Sequence, residues 1–259
     1  MNEYRAMKNQ DVRRFYDSIA NDYDRMISFD KRLALEEPRF RSLVNKYSIT
    51  SALDAGAGSG FHSILLARCG VSVTAIDISG EMLRKLRQHA QSQNLAIDTI
   101  DTDFLKMHLP GLSFDAVFCL GNSLVHLPSP VHLKKTISKF AKLLKPGGVL
   151  ILQILNYDKI LKQKERVQSI KKSGNTLYIR YYEFHEKQIL FNLLAINTET
   201  LVHDLRSIPI RPIGSMDLRN ILIKSGLRQT RLYGDLALTP FSRSTSHDLV
   251  ITAIKSSSR

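Results

Sequence analysis

Leu53-Asp54-Ala55-Gly56-Ala57-Gly58-Ser59-Gly60 closes a short apolar run and stands just ahead of a segment, from about His62, with helical spacing. Glycines let the chain turn tightly and let a ligand approach the backbone with no Cβ in the way, and a helix start presents unpaired N–H groups. The stretch reads as a strand, a loop for a polar ligand and a helix. Alone it is a weak signal, because dinucleotide-binding proteins use a related G-x-G-x-x-G turn.

Working outward, short apolar strands alternate with amphipathic helices from Ser51 to Gln153: Ser51 to Ala55, Val71 to Ile76, Ala96 to Ile100, Phe114 to Leu120 and Val149 to Ile154. That alternation predicts an α/β fold with a parallel sheet covered on both faces. Residues 3 to 47 repeat apolar positions at three- and four-residue intervals and read as a helical preface. A helix is expected over Asn156 to Ser169, then three β-rich runs, Leu177 to Phe184, Ile189 to Ile196 and Leu201 to Ile210, joined by polar stretches such as His185-Glu186-Lys187. These suggest an inserted antiparallel sheet. A helix over Met216 to Lys224 and strands at Gln229 to Tyr233 and Leu249 to Ile254 complete a core of about seven strands. The expected units are a helical lid (1–48), a cofactor-binding core (49–155), an insertion on the acceptor side (156–212) and the completion of the core (213–259).

Asp77 ends the second strand seventeen residues after Gly60, and Ile78 follows it. A carboxylate there can accept both ribose hydroxyls of a nucleoside, or it can be a solvated strand end. Asp103-Phe104 follows the third strand, where an acidic group can meet an adenine amino group while the ring packs on the base, or where the ring belongs to the core. In an open α/β sheet, ligands collect beyond the carboxyl ends of the strands. The fourth strand runs out through Leu120-Gly121-Asn122-Ser123 towards His126. Asn122 can orient an acceptor by hydrogen bonds or serve as a turn residue, and His126 can be a base or a packed histidine.

Taken together, Tyr16-Asp17-Ser18-Ile19-Ala20-Asn21-Asp22-Tyr23-Asp24, the Asp54 to Gly60 loop, Asp77, Asp103-Phe104, Phe114-Asp115-Ala116-Val117 and Lys145-Pro146-Gly147-Gly148 resemble the class I S-adenosylmethionine-dependent methyltransferases. The resemblance implies a Rossmann-like seven-stranded core whose last strand runs antiparallel. It also implies an enzyme that moves a methyl group from S-adenosylmethionine, leaving S-adenosylhomocysteine. It assigns Gly56, Gly58 and Gly60, with Asp54 and Ala57, to the methionine part of the cofactor, Asp77 and Ile78 to the ribose, and Asp103 and Phe104 to the adenine. Leu120, Gly121 and Tyr16 complete that set. Lys145 to Gly148 has a structural reading, a helix stop that turns the chain into the next strand.

Gly121 to Leu127 and Asn156-Tyr157-Asp158 look like the glycine and sarcosine N-methyltransferase branch. That likeness implies that Asn122 faces the acceptor and that preface tyrosines, here Tyr16 and Tyr23, cover the site. Seven residues apart, the two tyrosines also fit one packed helix face. Those enzymes tend to carry Arg immediately before Asn-Tyr-Asp, where it can pair with an amino-acid carboxylate, and this chain has Leu155. The expected acceptor is therefore not simply glycine, although Arg180 or Arg211 in the insertion could supply the cation from another direction, which leaves other amino acids open.

Composition bounds the alternatives. Hydrophobic residues make up 43% and charged residues 24%, values of a globular chain. Apolar runs fall short of the roughly 20 residues that span a bilayer, so no membrane partner and a cytoplasmic location are expected. Cys69 and Cys119 read as reduced core thiols, and no metal-ligand spacing is evident. Of the formal charge of +13, +8 lies in residues 151 to 259, which include Lys159, Lys162, Lys164, Arg166, Lys171 and Lys172. RNA or protein methylation is therefore a second possibility, although such a run is more often a solvated helix face. A non-catalytic cofactor-binding protein is a third, and an NAD-dependent oxidoreductase would require different glycine spacing. Oligomeric state is not encoded in any motif.

Overall fold

The N-terminal periodicity resolves into two helices, α1 (Asn9–Ile27) and α2 (Phe29–Lys46), separated at Ser28, whose backbone is left-handed at φ 55°. In this computed structural model, which describes residues 8–185 and 188–256, the expected helix start at residues 3–7, Glu186-Lys187 and the final 257–259 lie outside the described residues. Val12, Phe15, Ile19, Ala20 and Met26 of α1 are buried in the larger hydrophobic cluster, so the preface shares the core.

The central layer follows as β1 (Ser51–Ala55), α3 (Phe61–Arg68), β2 (Ser72–Asp77), α4 (Gly80–Ser92), β3 (Ile97–Asp101) and β4 (Phe114–Cys119). A short 3-10 helix (Ser123–His126) leads into α5 (Pro130–Leu143) and β5 (Leu144–Leu155). After the insertion, α7 (Ser215–Lys224), β10 (Leu227–Tyr233) and β11 (Asp248–Lys255) close the sheet in the order β10-β11-β5-β4-β1-β2-β3. β11 is antiparallel to both neighbours, while the β3-β2-β1-β4-β5 pairs are parallel. Helices cover both faces, so central strands carry continuous apolar runs: Val117, Phe118, Leu150, Ile151 and Leu152 are fully buried. Chain order reverses at β1, between β2 and β4, and the crevice beyond their carboxyl ends is where such sheets take ligands.

Lys145 to Gly148 is absorbed as a bulge rather than a separate turn. Phe114 pairs with Leu144 and Ala116 with Val149, and Gly147 takes φ 80° to accommodate the extra residues. Lys145 Nζ reaches Asp115 Oδ1 at 2.8 Å, so this stretch serves the fold.

The insertion departs from the sequence expectation. The helix over Asn156 to Ser169 is only α6 (Tyr157–Gln163); Lys164 turns left-handed at φ 54° and β6 (Val167–Ser173) begins. The sheet therefore has four strands, not three: β6, β7 (Thr176–Phe184), β8 (Ile189–Asn197) and β9 (His203–Ile210), an antiparallel meander. The basic run is split between helix and strand. Lys159 pairs with Glu165 at 3.1 Å, and Lys171 Nζ donates to the Met26 carbonyl at 2.8 Å. No helix among the described residues is long and apolar enough to cross a membrane.

Candidate functional site

Gly56 takes φ 79°, and a Cβ there would lie 2.5 Å from Ser123 Oγ and 3.3 Å from the Phe104 ring. The loop after β1, the turn after β4 and the segment after β3 thus converge on one glycine. Gly60, at φ 93°, would meet Leu86 Cγ at 2.5 Å, so it lets the loop pack on α4.

Asp77 sits at the end of β2, where its Oδ2 accepts the Gly58 N–H at 2.9 Å and its Oδ1 accepts the Ser79 N–H at 2.8 Å. Burial pushes its carboxyl up to about 6, opposed by those backbone donors. Asp54 behaves differently. Fully buried, it accepts from Ser63 Oγ at 2.6 Å on α3, and burial raises it to about 7. Asp103 Oδ1 accepts the N–H groups of Leu105 and Lys106, both at 2.8 Å, and the Phe104 ring packs edge-on against Phe140.

From α1, the Tyr16 hydroxyl lies 2.8 Å from His126 Nε2. Burial raises Tyr16 well above its ordinary value and lowers His126 to about 4, so both are neutral near pH 7. Burial also raises Tyr23. Asn122, left-handed at φ 73°, accepts the Leu155 N–H at 3.1 Å and donates to the Tyr157 hydroxyl at 2.8 Å. It is therefore a turn residue and a wall residue at once.

One cavity of about 320 Å³ collects Tyr16, Tyr23, Gly56, Ala57, Gly58, Asp77, Ile78, Asp103, Phe104, Leu120, Gly121, Asn122 and His126. Asp54 and Gly60 do not line it; their contacts with Ser63 and Leu86 hold the loop from behind. Of Arg180 and Arg211, the two arginines considered as carboxylate partners, Arg180 lines the cavity and Arg211 does not. The sequence reading missed Arg32, His62, Gln153, Gln168, His247 and Asp248, which also line it. Gln153 Nε2 donates to Asp248 Oδ2 at 2.7 Å, and burial holds His62 down at about 3. These six carry no local motif; they come from α2, α3, β5, β6 and the entry to β11, and only the tertiary fold brings them together.

A family profile described as a methyltransferase domain matches residues 52–148. The glycine/sarcosine N-methyltransferase of Parasynechococcus marenigrum (strain WH8102) is 30% identical over 226 residues, 85% of this chain and 78% of that protein. The chain belongs to the class I S-adenosylmethionine-dependent methyltransferases. The glycine/sarcosine N-methyltransferase of Halorhodospira halochloris is 36% identical over 149 residues, 57% of this chain and 55% of that protein, so this methyltransferase spans about half of that relative's length. In three dimensions, an S-adenosylmethionine-dependent methyltransferase from Clostridium acetobutylicum ATCC 824 superposes with a TM-score of 0.79 at 18% identity, covering 93% of this chain and 99% of that one. That likeness shows the shared fold.

The methyltransferase cavity suits the family's cofactor on its own chemistry. A buried carboxylate at Asp77 retains lone pairs for hydroxyl donors, a loop free of Cβ atoms at Gly56 and Gly58 admits close approach, and the Phe104 ring offers an apolar face.

Proposed function

We propose that this chain transfers a methyl group from S-adenosylmethionine to a small-molecule acceptor, an amine or an oxygen nucleophile, by in-line displacement. The observation that supports this reading is the continuity of one cavity from Asp77 and Gly58 to Asn122, Tyr16 and His126. In this reading Gly56, Ala57 and Gly58 lie against the methionine part of the cofactor, with Asp54 and Gly60 shaping the loop behind them. Asp77 with Ile78 takes the ribose, Asp103 and Phe104 border the adenine, and Leu120 and Gly121 form the floor. Asn122, Tyr16, Tyr23 and His126 wall the acceptor, and α1 and α2 act as the lid.

When bound, the cofactor supplies a methyl group on a sulfonium, a leaving group that needs no acid assistance. The residues then contribute alignment and exclusion of water. A buried histidine that titrates near 4 is too weak a base to take a proton from an ammonium acceptor, so His126 positions Tyr16 and the acceptor. The acceptor nitrogen or oxygen must reach the methyl with a free electron pair.

The test is incubation of purified protein with methyl-labelled S-adenosylmethionine and a metabolite extract, followed by mass spectrometry. A labelled small molecule is expected. Label appearing only on RNA or protein would replace the small acceptor by a macromolecule, and cofactor binding without turnover would make the chain a binding protein.

A further inference from the structure

Side chains alternate along β7, which puts Tyr178, Arg180 and Tyr182 on one face of the inserted sheet. That face is turned inward: Tyr178 and Tyr182 are each 2% exposed, and the Tyr178 hydroxyl donates to Asp22 Oδ1 on α1 at 3.1 Å. Arg180 thus enters the molecule between two buried tyrosines and lines the cavity with Tyr23 and Gln168.

Its Nε donates to Ser169 Oγ at 2.7 Å, and no carboxylate among the described residues forms a salt bridge with it. Burial lowers its pKa, the Tyr23 and Tyr182 phenols oppose that, and Arg32 adds repulsion. A half-buried guanidinium that faces a cavity without a carboxylate partner is stabilised by a ligand that supplies the counter-charge.

Arg32, the second cation of the cavity, is already engaged: it pairs with Glu36 at 2.8 Å and lies over the Phe61 ring at 4.2 Å, next to the glycine loop. Arg180 comes from β7 of the inserted sheet, whereas Arg32 comes from α2. On the same face of β7, Tyr182 interacts electrostatically with Tyr157, whose hydroxyl receives the Asn122 amide at 2.8 Å. At the end of β5, Leu155 adds an apolar side chain to the cavity lining.

We propose that Arg180 is the anion anchor of the acceptor, which carries a carboxylate bound from the inserted sheet instead of from the end of β5. The inference rests on the methyl-transfer reading of the cavity. A planar carboxylate matches the two-pronged donor face of a guanidinium.

The experiment is saturation-transfer NMR on the full chain saturated with S-adenosylhomocysteine, titrated with acetate, propanoate, butanoate and, separately, inorganic phosphate. At least one carboxylate should bind saturably to the wild type, at least tenfold more weakly to Arg180→Met, and with intermediate affinity to Arg180→Lys. Calorimetric affinity for S-adenosylhomocysteine should stay within twofold in both variants, which also reports an intact fold. The inference is overturned by carboxylate binding that ignores Arg180, by phosphate binding without carboxylate binding, or by loss of S-adenosylhomocysteine affinity in Arg180→Lys. Tight S-adenosylhomocysteine binding by the wild type without any carboxylate binding overturns this inference alone. Failure of the wild type to bind S-adenosylhomocysteine overturns the proposed function and the inference with it.

Discussion

The Tyr16 hydroxyl on α1 and His126 Nε2 beyond β4 stand 2.8 Å apart although 110 residues separate them in sequence. Their rings meet edge to face at 5.4 Å, and burial keeps both groups neutral at physiological pH. The pair ties the N-terminal helix to the carboxyl edge of the sheet, where the proposed transfer takes place.

Tyr16→Phe deletes that hydrogen bond while keeping the ring. Stability should fall by about 1 kcal/mol in urea unfolding, the ordinary net worth of such a bond. Methyl transfer should fall at least tenfold, with less effect on S-adenosylhomocysteine affinity. A variant as active as the parent would remove Tyr16 from the site.

His126 carries a pH signature. Its folded value, about 4, is below the ordinary 6.5, so the unfolded chain binds more protons between those values and His126 makes stability fall as pH drops from 6.5 to 4. His62, at about 3, acts in the same direction. Asp54 and Asp77, raised to about 7 and 6, act oppositely over their own windows. His126→Gln should therefore lose less stability than the parent between pH 6.5 and 4, measured by chemical unfolding at each pH. Identical slopes would contradict the buried neutral histidine.

Asp77→Ala should weaken S-adenosylhomocysteine binding about tenfold or more, because hydrogen bonds to a charged acceptor contribute roughly 1.5–3 kcal/mol. In the parent, affinity should decline as pH falls through about 6, where the carboxylate gains its proton and loses acceptor capacity. Asp77→Asn should be flat over that range. Calorimetry at several pH values checks both, and unchanged affinity in Asp77→Ala removes the ribose assignment.

The lid is best tested at its latches. Asp17 Oδ1 accepts from Ser79 Oγ at 2.5 Å and Arg13 pairs with Asp101, both joining α1 to the core. Removing residues 1–28 would also strip Val12, Phe15 and Ile19 from the core, so loss of activity there would not separate lid from scaffold. Combining Asp17→Asn with Arg13→Gln should cost about 1.5–3 kcal/mol for the part-buried hydrogen bond to the Asp17 carboxylate and about 1 kcal/mol or less for the exposed Arg13–Asp101 pair. It should speed dissociation of S-adenosylhomocysteine several-fold in stopped-flow measurements. An unchanged dissociation rate counts against closure by α1.

Glycine and sarcosine should be poor acceptors, because the proposed carboxylate anchor, Arg180, comes from the inserted sheet while Leu155 supplies no cation at the end of β5, so a nitrogen one carbon from the carboxylate is not presented as it would be from β5. Their kcat/KM should lie well below about 10⁴ M⁻¹ s⁻¹, the lower end of ordinary enzymes. Leu155→Arg, assayed beside the parent, should raise glycine turnover. Efficient methylation of glycine by the parent would sink the prediction.

Short-range pattern was enough to read β1, the glycine loop, α3 and the closing α7-β10-β11 segment, because periodicity and turn residues act within a few positions. β6 escaped it. Val167 to Ser173 follows a genuine helix and carries Lys171 and Lys172, so its alternation is faint until β7 pairs with it. Asp54 and Asp77 are two acids near the ends of neighbouring strands, yet only Asp77 lines the cavity. Register separates them: Asp54 pairs with Ala75, inside the ladder and beneath α3, whereas Asp77 lies one step past the last β1 pair, Ala55 with Ile76.

By itself the sequence determined the fold class, the alternation of strands and helices in the seven-stranded core, and the cofactor signature from Gly56 to Phe104, since these depend on local propensity and on topological rules that leave few alternatives. Which side chains meet was decided only by the tertiary structure. Tyr16 finds His126, Asn122 finds Tyr157, and Arg180 turns inward with Tyr178 and Tyr182, because sheet order, strand register and the docking of α1 set distances between residues that no sequence interval encodes.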